Sequence, residues 1–144
     1  MEVLQDEIVV TTGGRGSFEV TDRVAEFVRG SGLVAGSLHL FLRHTSASLL
    51  VTEDADPQVR ADLESWFGEL APDGHPTFRH VDEGPDDMPA HARTLLAGHS
   101  LLLPVSGREL MLGRWQGVYL WEHRTAPHRR HLFMTLQGEF APPR

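Results

Sequence analysis

Between Val34 and His44 the chain alternates with a period of two. Leu38, Leu40 and Leu42 fall on one side of an extended backbone, and His39, Phe41 and Arg43 fall on the other. Such a stretch buries its leucines only as a strand in one register, because a one-residue slip turns every side chain to the opposite face. A sheet with one apolar face needs a second layer to cover it. This segment therefore demands a layered fold before any other residue is considered.

Other segments supply the layers. Residues 3–12 are rich in β-branched side chains, Gly13-Gly14-Arg15-Gly16 offers a turn, and residues 17–20 can return, which predicts a hairpin. Residues 48–52, 100–105, 109–112, 118–124 and 131–137 also read as extended, with turns at Gly107 and Ala126-Pro127. Helical spacing enters in three places. Thr21-Asp22 offers an N-cap before Val24, Phe27 and Val28, and the glycines at 30 and 32 end that helix. Asp56-Pro57 starts a second helix, with Val59, Leu63, Trp66 or Phe67, and Leu70 on one face. Pro89 opens a third, short one that Gly98 closes. Between them, residues 71–87 form a polar loop long enough to suggest a function. Many strands with a few inserted helices predict an α+β domain with a largely antiparallel or mixed sheet, not alternating βαβ units.

Composition narrows the chemistry. The 144 residues, 40% hydrophobic and 23% charged, fit one globular domain spanning residues 1–144. A net charge of -7 argues against nucleic-acid binding, which needs a basic face. No cysteine is present and all 13 basic residues are arginine. Thiolate ligands and nucleophiles are thereby excluded, as are Schiff bases and the P-loop lysine. No apolar run approaches the ~20 residues of a membrane span, and the first residues lack the features of a secretory signal. The expectation is a cytoplasmic protein without a membrane partner.

Histidine, with nine copies, carries most of the remaining potential. Four segments concentrate polar groups. His44-Thr45-Ser46-Ala47-Ser48 ends the alternating strand, with Glu53 just after it; the plain alternative is a solvated strand end with Ser/Thr turn bonds. His80 to His91 encloses Glu83, Asp86 and Asp87. Helix capping accounts for one of those aspartates. A second aspartate beside two histidines fits a carboxylate that orients a metal ligand or a base. Arg114-Trp115-Gln116-Gly117 and Glu122-His123-Arg124 close the two ends of one apolar strand; a surface ion pair is the plain reading of the latter triplet.

Together these segments, in this order and with the closing Leu136-Gln137-Gly138-Glu139, resemble the YjbQ family, whose members are often called secondary thiamine-phosphate synthases. The resemblance spans nearly the whole chain. It implies an α+β, sandwich-like sheet domain with two or three short helices, a homotrimer, and a divalent metal at the histidine-rich site. Asp54 stands where Asn is common in the family, and Trp121 where a small residue is usual.

The activity it implies joins a pyrimidine-methyl pyrophosphate to a thiazole phosphate. Carried onto this sequence, the expected metal ligands are His80, His91 and His123, for zinc by preference and magnesium as the alternative. Catalytic roles fall to His44, Asp87 and Glu53. Ser46, Ser48, Gln116, Glu122 and Arg124 are expected to bind a small phosphorylated substrate. The rival readings are a metal-dependent hydrolase of a phosphorylated small molecule and a non-catalytic trimeric metal- or ligand-binding protein.

Overall fold

The computed structural model describes residues 2–142. Its elements run β1 (Glu2–Thr12), β2 (Gly16–Glu19), α1 (Thr21–Ser31), β3 (Leu33–Leu42), β4 (Ala47–Glu53), α2 (Pro57–Leu70), α3 (Asp87–Ala97), β5 (Ser100–Ser106), β6 (Glu109–Leu110), β7 (Gln116–Glu122) and β8 (His128–Phe140). The fold is α+β, as expected. The strands form two sheets, ordered β1-β8-β3-β5-β6 and β2-β7-β4, and every pairing is antiparallel.

The alternating segment lies in the middle of the larger sheet. Leu38, Leu40 and Leu42 are buried there beside Leu132, Met134 and Leu136 of β8. The smaller sheet covers this face with Ala47, Leu49, Val118 and Leu120, and α1 adds Val24 and Val28 to the same core. A single core between two sheets is the second layer that the leucine face requires.

The expected hairpin between the first two strands does not form. β1 pairs with β8 in one sheet and β2 pairs with β7 in the other, so Gly13 to Gly16 carries the chain across the sandwich. Thr21 is also not a cap. It is the first helical residue of α1, and its hydroxyl donates to Glu19 and accepts from the Val118 amide, which ties the helix start to β7. The third helix begins at Asp87, two residues before Pro89, and Gly98 follows its end. Asp56 caps α2 as the sequence suggests, accepting from the Gln58 amide at 2.9 Å. Gly107 (φ 59°) and Arg108 (φ 69°) form the left-handed pair of a tight hairpin turn between β5 and β6. Among the described residues no helix is long and apolar enough to cross a membrane.

Candidate metal centre

Asp87, the first residue of α3, is where the polar segments meet. An acidic side chain in the first turn is favoured by the helix dipole, and one turn later His91 lies on the same face. The Asp87 carboxylate is nearly sealed from solvent. Its Oδ2 lies 2.7 Å from His80 Nε2 and 3.2 Å from His91 Nε2, and its Oδ1 accepts from Arg124 Nη1 at 2.7 Å. Burial works to raise this carboxyl, but the His80 hydrogen bond and the nearby Arg124 and His91 charges hold it below the usual carboxylate range. One ligand atom from each of His80, Asp87 and His91 fits within a common 4.8 Å, and among the described residues no other such group of three occurs.

The Thr45 carbonyl fixes how His91 is presented to Asp87. The His91 Nδ1 lies 3.0 Å from the Thr45 carbonyl oxygen, an atom that only accepts, so Nδ1 carries a ring proton. Nε2, the other ring nitrogen, is thereby turned to the Asp87 carboxylate, which Nε2 of His80 also meets. A contact of this kind is bridged by a proton or, with that proton displaced, by a metal ion. A carbonyl that orients a histidine through its far nitrogen is the usual support for a metal ligand. Two imidazoles and one carboxylate make a donor set suited to zinc, with room for a further ligand.

Arg124 organises the aspartates from the other side. Its Nε donates to Asp86 Oδ2 at 3.0 Å and its Nη2 to the Glu83 carbonyl at 2.9 Å, so all three guanidinium nitrogens are occupied. Asp86 also accepts from the amide and hydroxyl of Thr125. Against the opposing effect of burial, these bonds bring its carboxyl down to about 2. Neither aspartate caps the helix with its side chain. Arg124 is not a surface partner of Glu122 either; only its backbone amide reaches that carboxylate.

The other expected site residues divide into two groups. His44, Ser46, Ser48, Glu122 and His123 lie at the same end of β7 as Arg124; the last four are buried and His44 is half-buried. Glu122 is fully buried, accepts from Thr12 at 2.7 Å and forms an ion pair with Arg130. Arg130 also donates to Ser46. Ser48 and His123, both without exposed surface, share a hydrogen bond of 2.8 Å. His123 is therefore not brought to His80 and His91; it packs at a tilt against Phe67 and Trp121, and Asp87 takes its place. His44 accepts the His131 amide proton at Nε2, 2.7 Å away. Burial and the adjacent Arg130 charge lower its pKa.

Glu53 and Gln116 pair at the opposite end of β7. Six residues of strand separate Gln116 from Glu122, roughly 20 Å at the usual rise, so within one chain these two do not join the centre. Glu53 accepts from the Asp56 amide, and Gln116 from the Gly113 amide.

Cavities open on both sides of the histidine pair. One, of about 580 Å³, is lined by His91 with His44, Phe41, Leu95 and His99. The other, of about 310 Å³, lies under the 71–86 loop and is lined by His80 with Phe78, Met88 and Pro89.

Comparison with known proteins shows the family of the chain. The family model described as UPF0047 protein YjbQ-like matches residues 6–139. The UPF0047 protein YjbQ of Salmonella typhimurium is 45% identical over 136 residues, covering 94% of this chain and 98% of that one. The UPF0047 protein sll1880 of Synechocystis is 42% identical over 135 residues, covering 94% and 92%. Among solved structures, the conserved hypothetical protein TT1486 of Thermus thermophilus superimposes with a TM-score of 0.82 at 37% identity, covering 92% of this chain and 99% of that one. With a model match over nearly its whole length and relatives this close, the chain belongs to the UPF0047 family of YjbQ-like proteins.

Proposed function

We propose that this protein is a divalent-metal enzyme of a phosphorylated small molecule, with His80, Asp87 and His91 holding the ion, zinc by preference. The observation that carries this reading is the convergence of one ligand atom each from His80, Asp87 and His91 within 4.8 Å, with His91 oriented by the Thr45 carbonyl. The family resemblance suggests the reaction: a pyrimidine-methyl group moves from pyrophosphate to a thiazole phosphate. A bound cation would supply positive charge to the departing pyrophosphate.

The chain's own residues have definite tasks in that reaction. Arg124 fixes both aspartates and keeps Asp87 ionised. The two cavities beside His80 and His91 are of a size to hold small organic groups. In the transfer the C–O bond to pyrophosphate breaks as the ring nitrogen of the thiazole forms a C–N bond. That nitrogen bears no proton, so a strong base is not needed. This suits His44, whose Nε2 lone pair is already bound to an amide. We assign it to shaping the wall of the larger cavity, which it lines.

The test pairs metal analysis with product analysis. Chelation is expected to abolish pyrophosphate release from the two substrates, and added zinc to restore it. His80→Ala and His91→Ala should each lower metal occupancy at least tenfold, while His123→Ala keeps it. Full occupancy in both ligand variants would defeat the assignment. Release of inorganic phosphate instead would point to the hydrolase, and binding without turnover to a non-catalytic protein.

A further inference from the structure

The Gly13-Gly14-Arg15-Gly16 connection does more than cross from one sheet to the other. Arg15 donates from both Nε and Nη2 to the carbonyl oxygen of His123, at 3.0 and 2.9 Å. The same guanidinium grips Asp73 with two parallel bonds, Nη1 to Oδ2 at 2.8 Å and Nη2 to Oδ1 at 2.9 Å. One residue earlier, Gly14 has a φ of +124° and lies so close to Thr125 that an added Cβ would meet its carbonyl oxygen at 2.7 Å. The connection is thus laid directly against residues 123 and 125.

Those two residues bracket Arg124, the side chain that holds Asp86 and Asp87. Thr125 holds Asp86 as well. Asp73, the other end of the grip, stands at the root of the loop that carries His80. The next residue, Gly74, closes that loop by donating its amide to the Pro85 carbonyl at 3.1 Å. We infer that Arg15 is a positioning residue that pins the strand end bearing Arg124 to the root of the loop bearing His80, and so sets how His80 meets Asp87. This deepens the metal-centre reading and rests on it for its consequence, not for its geometry. The planar fork is essential: a carbonyl and a carboxylate are served at once by four N–H donors in fixed directions, which an ammonium cannot reproduce.

Native-state hydrogen exchange on the metal-free full chain reads the clamp directly. Arg15→Ala and Arg15→Lys are expected to speed exchange at the Gly74 and Thr125 amides at least tenfold, with amides in the centre of β8 unchanged. Asp73→Ala, made at a partly exposed position, should free Gly74 alike and serves if the Arg15 variants fold poorly. Unchanged protection at Gly74 and Thr125, or loss spread evenly over both sheets, overturns the inference. Cobalt(II) titration of the same proteins separates it from the metal reading. At least tenfold weaker cobalt binding by Arg15→Lys supports the positioning role, and equal affinity removes it. A wild-type protein that takes up no cobalt defeats the metal reading and leaves the clamp to stand on the exchange data.

Discussion

His123 has no exposed surface, and its Nδ1 has no partner among the described residues. Burial, with the Arg93 and Arg15 charges, drives its pKa down to about 3. Unfolded, the same ring titrates near about 6.5. A pKa depressed by folding stabilises the fold fully above the unfolded value, and that stabilisation is lost as pH falls toward the folded one. Only the unfolded chain takes up the proton in between. Between pH ~6.5 and ~3 this single residue should therefore cost up to about 1.4 kcal/mol per pH unit. His123→Gln keeps a polar atom for Ser48 and cannot titrate. Urea midpoints followed from pH ~6.5 downward are expected to fall less steeply in that variant; parallel curves would show that the ring is solvated in the folded protein. Arg130, absent from the expected site, stands one residue before the expected strand 131–137 and falls inside β8. It shares parity with Leu132, Met134 and Leu136, so the strand pattern already turns a charge inward, and an inward arginine must find a buried partner. It finds Glu122.

Secondary-structure elements place the site through their ends. α3 begins with the carboxylate that the centre needs, and α2 begins at Asp56, whose side chain satisfies one free amide of the first turn. Asp56→Ala is expected to lower stability by about 1 kcal/mol and to leave metal content unchanged, since α2 contributes none of the three candidate ligands; chemical denaturation beside metal analysis checks both. Strand boundaries were readable to within a few residues because alternation is a local property. Pairing was not. The glycine-rich turn after β1 announces a change of direction, yet β1 found β8 and β2 found β7. Period two identifies a strand; it does not name the neighbour that will take its hydrogen bonds. Trp121 stacks on Phe67 at 4.5 Å and fills the space between α2 and the smaller sheet.

Across the whole molecule, several large apolar side chains remain uncovered. Leu95 is 84% exposed and Leu102 71%, with Leu96 and Trp66 also largely open. Patches of this kind mark interfaces, and a closed ring of copies would bury them in a self-consistent way. The homotrimer we propose is expected to fall to single chains when Leu95→Glu and Leu102→Glu are combined, because two buried charges lacking partners are not tolerated at an apolar contact. Light scattering reads the mass. A trimer that survives both substitutions places the interface elsewhere, and a wild-type monomer removes the trimer altogether. An assembly would also offer Glu53 and Gln116, remote within one chain, a route to a neighbour's centre.

The sequence by itself determined the α+β class, the inward faces of the strands, and the nearness of His91 to the Asp86-Asp87 pair. These follow from backbone periods of two and 3.6 residues, which act over a few positions at a time. Tertiary structure alone decided the rest: which strands share a sheet, that His80 crosses from its loop to Asp87, and that His123 turns into the core beside Ser48. Such outcomes are set by burying whole faces against one another, a choice made among residues far apart in the chain. The residue next to Arg124 in sequence thus stayed out of the centre, while Arg15, more than a hundred positions away, came to hold its frame.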